Sequence, residues 1–143
     1  MPLIKPHQIK KVIVPIENNY LIGTLATTLK KNEIMNPNIT KVIVDWKEKD
    51  LAEAKKFYRL EKKEKINTFH HVGIYSYTKS SLTKFVNLPK SKNETTLNLE
   101  QYRAMDAGIS IGVNYVVDIP LSVDTKEDLT TVESIIKEFN EKN

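Results

Sequence analysis

Apolar residues recur along the chain in two rhythms, short β-branched runs and stripes of helical spacing, and the two alternate from end to end. In the opening HQIKKVIVPI, Ile9, Val12 and Ile13 fall at helical spacing, and Pro15 predicts that the helix stops there. After the polar turn Glu17-Asn18-Asn19, YLIGTLATTL has the composition of a buried strand, and KNEIMNPN is dense in turn-formers. KVIVDW predicts a second strand. From Lys47 to Lys65 the chain mixes eight basic and five acidic side chains, and within it DLAEAKKFYRL scans as a solvated helix. HVGIYSYT alternates as a strand does, KSSLTKFVNL predicts a helix stopped by Pro89, and a lysine- and asparagine-rich loop leads on to LNLEQYRAMDAG. There Leu99, Tyr102 and Met105 or Asp106 keep helical spacing, with Gly108 as the C-terminal glycine. ISIGVNYVV predicts a further strand. Thr125 is placed to cap the last helix, with Asp128 three residues on, and Leu129, Val132, Ile135, Ile136 and Phe139 form its apolar stripe. Strands and helices alternating in this way predict an α/β fold, with no repeat, low-complexity tract or linker to divide it.

Composition narrows the picture. A length of 143 residues suits one domain, and 40% hydrophobic with 28% charged residues is ordinary for a globular chain. No run of eighteen apolar residues occurs, and MPLIKPHQIK carries charge and proline where a signal peptide needs an apolar stretch, so no membrane passage is expected. The absence of cysteine rules out disulfides and thiolate metal sites and fits a cytoplasmic protein. A net charge of +4 is a mild excess that does not call for nucleic acid, and the mixed charges between Lys47 and Lys65 read as a solvated face. The lysine bias is more informative: of 22 basic residues only Arg59 and Arg103 are arginine. A planar guanidinium fork suits carboxylate or phosphate, so these two positions stand out, either for that geometry or as chance survivors of the bias.

Several chemistries are excluded outright. There is no glycine-rich phosphate loop, no HExxH and no GxSxG, and four glycines cannot supply a dinucleotide fingerprint. His70 and His71 open an apolar strand, whose alternation puts them on opposite faces, so only one is expected to face a pocket. That one could bond a sugar hydroxyl or carboxylate, or be an edge histidine satisfied by a backbone carbonyl. His7, isolated in a polar helix, reads as surface. Glu100, Gln101 and Arg103 share a turn with Leu99 and Tyr102; a carboxylate beside an amide suits a polyhydroxylated ligand, while a plain polar helix surface is the competing account. Asp124, between a strand end and a helix N-terminus, is placed either to hold Mg²⁺ through oxygen or to cap beside Thr125.

Taken in order, these segments resemble the C-terminal part of the 3-deoxy-manno-octulosonate cytidylyltransferases, the CMP-Kdo synthetases, over nearly the whole chain. MPLIKPHQI is similar to the stretch just after the family's Gln-Gly-Asp, GTLATTL to its ATL strand, and NPNITKVIVD to its Asn-Pro-Asn and Val-Lys-Val-Val-Leu-Asp run. HHVGIYSYTKSSLTKFVNLP resembles its His-Ile-Gly-Ile-Tyr segment, LEQYRAMDAG its Leu-Glu-Gln-Leu-Arg, and SVDTKEDL its Gly-Val-Asp-Thr-Pro-Glu-Asp-Leu. The resemblance implies a nucleotide-diphospho-sugar transferase-like mixed sheet with flanking helices, represented by its C-terminal half. It implies an enzyme that joins the sugar acid Kdo to CMP from CTP, releasing pyrophosphate with Mg²⁺ as cofactor, for lipopolysaccharide biosynthesis. By the same resemblance Arg59, His71, Tyr75, Glu100 and Gln101 line the Kdo pocket, Asp124 binds the metal, and Arg103 braces its helix.

The departures shape the expectation as much as the matches. Tyr58 stands for a family serine, LEKKEKIN replaces a Pro-Ile-Pro stretch, Leu97 a glutamate, Ser122 a glycine and Lys126 a proline. The family's triphosphate loop, base-recognition residues and Gln-Gly-Asp aspartate have no counterpart in residues 1–143. The expectation is therefore a single incomplete domain with little activity alone. The alternatives are a subunit that needs a separate N-terminal piece and a non-catalytic sugar-acid-binding remnant. The family resemblance also implies a homodimer.

Overall fold

The computed structural model describes residues 1–46, 50–61, 66–119, 121–123 and 125–141. Helix α1 (Pro6–Glu17) leads into β1 (Ile22–Thr28), a 3₁₀ turn (Lys31–Glu33), β2 (Lys41–Val44), β3 (Leu51–Tyr58) and β4 (Thr68–Tyr77). Helices α2 (Lys79–Asn87), α3 (Lys92–Leu97) and α4 (Gln101–Asp106) precede β5 (Ile111–Tyr115), and α5 (Lys126–Glu141) follows it. The strands are hydrogen-bonded in the order β1-β4-β2-β3-β5, and β5 pairs back onto β1, so the sheet closes on itself. Among the described residues only β1 and β5 run parallel; the other pairings are antiparallel, which makes the sheet mixed. One core gathers Ile22, Val42, Phe57, Ile111 and Val113 with Phe85 and Tyr102 from the helices and Leu99 from the connection between α3 and α4. A second, smaller one joins Val12 of α1 to Leu25, Val72 and Val116.

Three elements differ from the sequence expectation. Helix α1 runs through Pro15 to Glu17. The ring forgoes one intrahelical bond, to the Lys11 carbonyl, but its own carbonyl stays in use: Asn18 N–H closes the turn on the carbonyls of Val14 and Pro15. Pro15 is buried on a floor made by two glycines: a Cβ on Gly112 would stand 2.6 Å from that of Pro15, and one on Gly23 would stand 2.6 Å from the Val12 carbonyl oxygen. The stretch DLAEAKKFYRL is not helical; Leu51–Tyr58 forms β3. Its Ala, Lys and Glu content favours helix locally, but Ala52 and Ala54 alternate inward, and pairing with β2 and β5 overrides propensity. The lysine- and asparagine-rich loop contains α3, nucleated by a capping box in which Ser91 Oγ accepts from Glu94 N–H and the Glu94 carboxylate accepts from Ser91 N–H.

Other local signals match. Gly108 sits at φ +73 just past α4, and Thr125 and Asp128 cap α5 reciprocally, each backbone N–H donating to the other's side chain. Of the α5 stripe, Val132 is buried while Leu129, Ile135, Ile136 and Phe139 stay exposed. Among the described residues no helix is long and apolar enough to cross a membrane.

Candidate functional site

A cleft of about 1410 Å³ opens where β4, the segment leaving β1, the exit of β3, the start of α4 and the segment after β5 converge. Arg59, His71, Tyr75, Glu100 and Gln101 all line it. Asp124 lies outside the described residues. His70 also lines the cleft, contrary to the expectation that only one of the histidine pair would. The two histidines do leave β4 in opposite directions, but the cleft is broad enough to take in both sides of the strand, with Val72 and Tyr75 equally in its lining.

His71 is buried; its ring packs edge-on against Phe57 at 5.0 Å and lies tilted against Tyr75 at 5.5 Å. Its Nε2 lies 3.0 Å from Thr24 Oγ1, whose own proton goes to the Ile74 carbonyl at 2.8 Å. The Thr24 hydroxyl therefore accepts from Nε2–H, which leaves Nδ1 as an acceptor. Burial, reinforced by His70, pushes the imidazole down to about 3, so it is neutral at pH 7. Burial also pushes the Tyr75 phenol well above its usual 10, helped by Tyr77 and Glu100. Both side chains thus meet a ligand as neutral hydrogen-bonding groups rather than as proton carriers near pH 7.

Behind Tyr75 an aromatic row continues through Tyr77 at 6.3 Å to Phe85 at 5.7 Å, with the Arg103 guanidinium 4.9 Å over the Phe85 ring. Arg103 forms a fork with Glu94, Nε donating to Oε2 at 2.9 Å and Nη2 to Oε1 at 2.6 Å, and Nη2 also reaches Glu100 Oε1 at 3.2 Å. That pairing pushes Glu94 down and Arg103 up. Arg103 thus braces α3 against α4. Glu100 itself is 69% exposed at the cleft. Tyr102 hooks α4 to β3: its hydroxyl donates to the Phe57 carbonyl at 2.8 Å and accepts from Phe57 N–H at 3.2 Å, beyond the stretch of β3 that β5 pairs.

At the rim, exposed Arg59 donates from Nη1 to the carbonyls of Pro37 and Asn38 at 3.3 and 3.4 Å. No carboxylate pairs with it among the described residues, so its charge stays available to an anion. Sequence reasoning passed over the groups beneath this rim. Lys41 is buried with Nζ 2.7 Å from the carbonyls of both Asn36 and Arg59. Glu33 Oε2 accepts from Lys30 N–H at 2.9 Å and lies 3.2 Å from His70 Nδ1, off the hydrogen-bonding direction. The one available signal was a lysine opening the apolar run KVIVDW.

Among the described residues no cluster of three or more His, Asp or Glu side chains is arranged to hold a metal. Asp118 is engaged by Lys5 at 3.1 Å and His7 at 3.0 Å, bonds that hold its carboxyl down to about 2, and Asp128 caps α5. These carboxylates do not fit a magnesium site by themselves.

Mixed sheet, flanking helices and a polar cleft beside the strand ends define a nucleotide-sugar transferase-like α/β protein. Within that class the chain belongs to the cytidylyltransferase family, whose model matches residues 1–111. It is 38% identical over 133 residues to a 3-deoxy-manno-octulosonate cytidylyltransferase of Rhodopseudomonas palustris (strain BisB5), covering 91% of this chain and 54% of that protein. The enzyme of the same name from Bartonella henselae is 38% identical over 139 residues, covering 95% and 57%. The solved structure of a CMP:2-keto-3-deoxy-manno-octonic acid synthetase complexed with CTP superposes with a TM-score of 0.82 at 28% identity, over 96% of this chain and 58% of the other. The chain thus spans about half the length of the curated relatives it matches.

Proposed function

We propose that this chain forms the sugar-acid side of a cytidylyltransferase that joins Kdo to CMP from CTP with release of pyrophosphate. The observation that carries the reading is the convergence of Arg59, His71, Tyr75, Glu100 and Gln101 on one cleft, at the positions whose motifs resemble the family's. Arg59 supplies the charge for the sugar carboxylate. Glu100 and Gln101 bond hydroxyls, neutral His71 accepts from one, and Tyr75 donates with its phenol kept protonated. None of these groups has to gain or lose a proton, so the chain contributes by binding and orientation. In this reading the protein is cytoplasmic, and magnesium, with Asp124 among its ligands, serves the nucleotide side.

The 143 residues contain no glycine-rich phosphate loop. In this reading the triphosphate-binding part comes from elsewhere, on the same polypeptide or on a separate one. Pyrophosphate release from CTP, Kdo and Mg²⁺ tests the division of labour. The chain of residues 1–143 should give no more than background, and adding the N-terminal half of one of the relatives should raise it. Release by the chain alone at an intact enzyme's rate would overturn the division, and a folded chain with no affinity for Kdo would overturn the assignment of the cleft.

A further inference from the structure

Lys41 opens β2 with 1% of its surface exposed, one of the largest fully buried side chains in the molecule. Lysine is almost never taken wholly out of water unless its ammonium is compensated. Here the compensation comes from two main-chain carbonyls, those of Asn36 and Arg59, each 2.7 Å from Nζ. Burial lowers the pKa of Lys41, while the nearby Glu33 charge works in the opposite direction. The strand ladder does not need this charge. Lys41 pairs with Tyr58 on β3 and His70 on β4 through its backbone, which an apolar residue of the same length would do equally well.

The ammonium instead ties together two cleft-lining segments that the strands leave free, the turn before β2 and the exit of β3. The same two segments are tied again at the surface, where the Arg59 guanidinium donates to Pro37 and Asn38. We infer that Lys41 is a positioning residue: its buried ammonium fixes the Arg59 main chain against the Asn36 turn and so sets where the Arg59 guanidinium stands at the cleft rim. This deepens the sugar-acid reading and rests on it for the identity of the ligand. The placement of Arg59 can be read without any ligand.

The chain has two arginines, so a sample labelled with ¹⁵N-arginine gives two main-chain amide and two Nε–H correlations, assigned by Arg59→Lys. In Lys41→Met both Arg59 signals should move and broaden, while those of Arg103, locked on Glu94, stay in place and report that the chain is folded. Lys41→Gln, which keeps a donor, should displace the Arg59 signals less. Unmoved Arg59 signals in a folded Lys41→Met variant overturn the inference. So does loss of all the folded signals in both variants, which would assign Lys41 to stability alone.

Calorimetry with Kdo then asks whether Lys41 acts through Arg59. Lys41→Met and Arg59→Lys should each bind roughly tenfold more weakly, about the worth of one charge-assisted hydrogen bond. The double variant should fall within about twofold of Arg59→Lys, because residues acting through one contact are not additive. Additive losses overturn the inference. Displaced Arg59 signals with no Kdo binding by the unaltered chain would instead overturn the sugar-acid reading and leave the positioning of Arg59 by Lys41 intact.

Discussion

Behind the cleft lining, in a wall braced between α3 and α4, Arg103 spends its fork on Glu94 and Glu100, lies over Phe85, and has 14% of its side chain exposed. On the rim, Arg59 reaches two neutral carbonyls at 3.3 and 3.4 Å and stands in solvent. The chain thus uses its two arginines for opposite ends. One charge is cancelled inside the fold, where a planar fork meets a carboxylate and two helices are fixed. The other is held in place by groups that leave it uncancelled, which is what an anion-binding position requires. Scarcity of a residue type in a sequence points to demanding geometry, but only the partners tell whether that geometry serves the fold or a ligand.

The wall around Arg103 should therefore respond in stability and the rim in binding, while His71, which packs on Phe57 and also lines the cleft, should respond in both. The largest effect falls on the aromatic row at His71, whose imidazole sits at about 3 when folded against 6.5 when free. Because the unfolded chain takes up this proton first, the contribution of neutral His71 is complete above pH 6.5 and is lost as pH falls toward 3. At about 1.4 kcal/mol per pH unit the loss is at most about 5 kcal/mol. Urea unfolding between pH 7 and pH 3, followed by the fluorescence of Trp46, should show it, and His71→Asn should flatten that part of the acid limb. An acid limb unchanged in His71→Asn would separate His71 from the wall.

Tyr102→Phe comes next. It leaves both polar groups of Phe57 without their buried partner and should lower stability by about 1–3 kcal/mol in the same assay, with Kdo affinity nearly unchanged. A larger change in affinity than in stability would break the division between wall and rim. The arginines supply the smallest but most selective contrast. Arg103→Lys should lower the melting temperature by several degrees and leave affinity within about twofold, since a lysine cannot reproduce the two-point contact with Glu94. Arg59→Lys, at an exposed position, should leave the melting temperature alone and weaken Kdo binding roughly tenfold. Equal behaviour of the two variants would erase the comparison.

Much of this was legible in the sequence, and what was not has identifiable causes. β1, β2, β4 and β5 announce themselves by β-branched runs, and Gly108 and the Thr125–Asp128 pair by local backbone chemistry. The same local chemistry was present at Ser91 and Glu94, where the spacing of a capping box was hidden in a loop-like composition. β3 was illegible because Ala, Lys and Glu favour helix in isolation, and only the strands on either side select the extended form. Pro15 within α1 depends on glycines 8 and 97 residues further along the chain. At the site, Arg59, His71, Tyr75, Glu100 and Gln101 came from motif resemblance. Lys41 did not, because its role depends on two carbonyls that carry no side-chain signature.

The central claim is that the cleft holds a sugar acid by the charge of Arg59. Isothermal titration of the folded chain with Kdo, alongside Arg59→Lys and Arg103→Lys at a temperature where all three remain folded, tests it most directly. One-site binding, weakened in Arg59→Lys and kept in Arg103→Lys, is the expected result. No heat of binding in the folded chain, or equal affinity of Arg59→Lys and the unaltered protein, would contradict it.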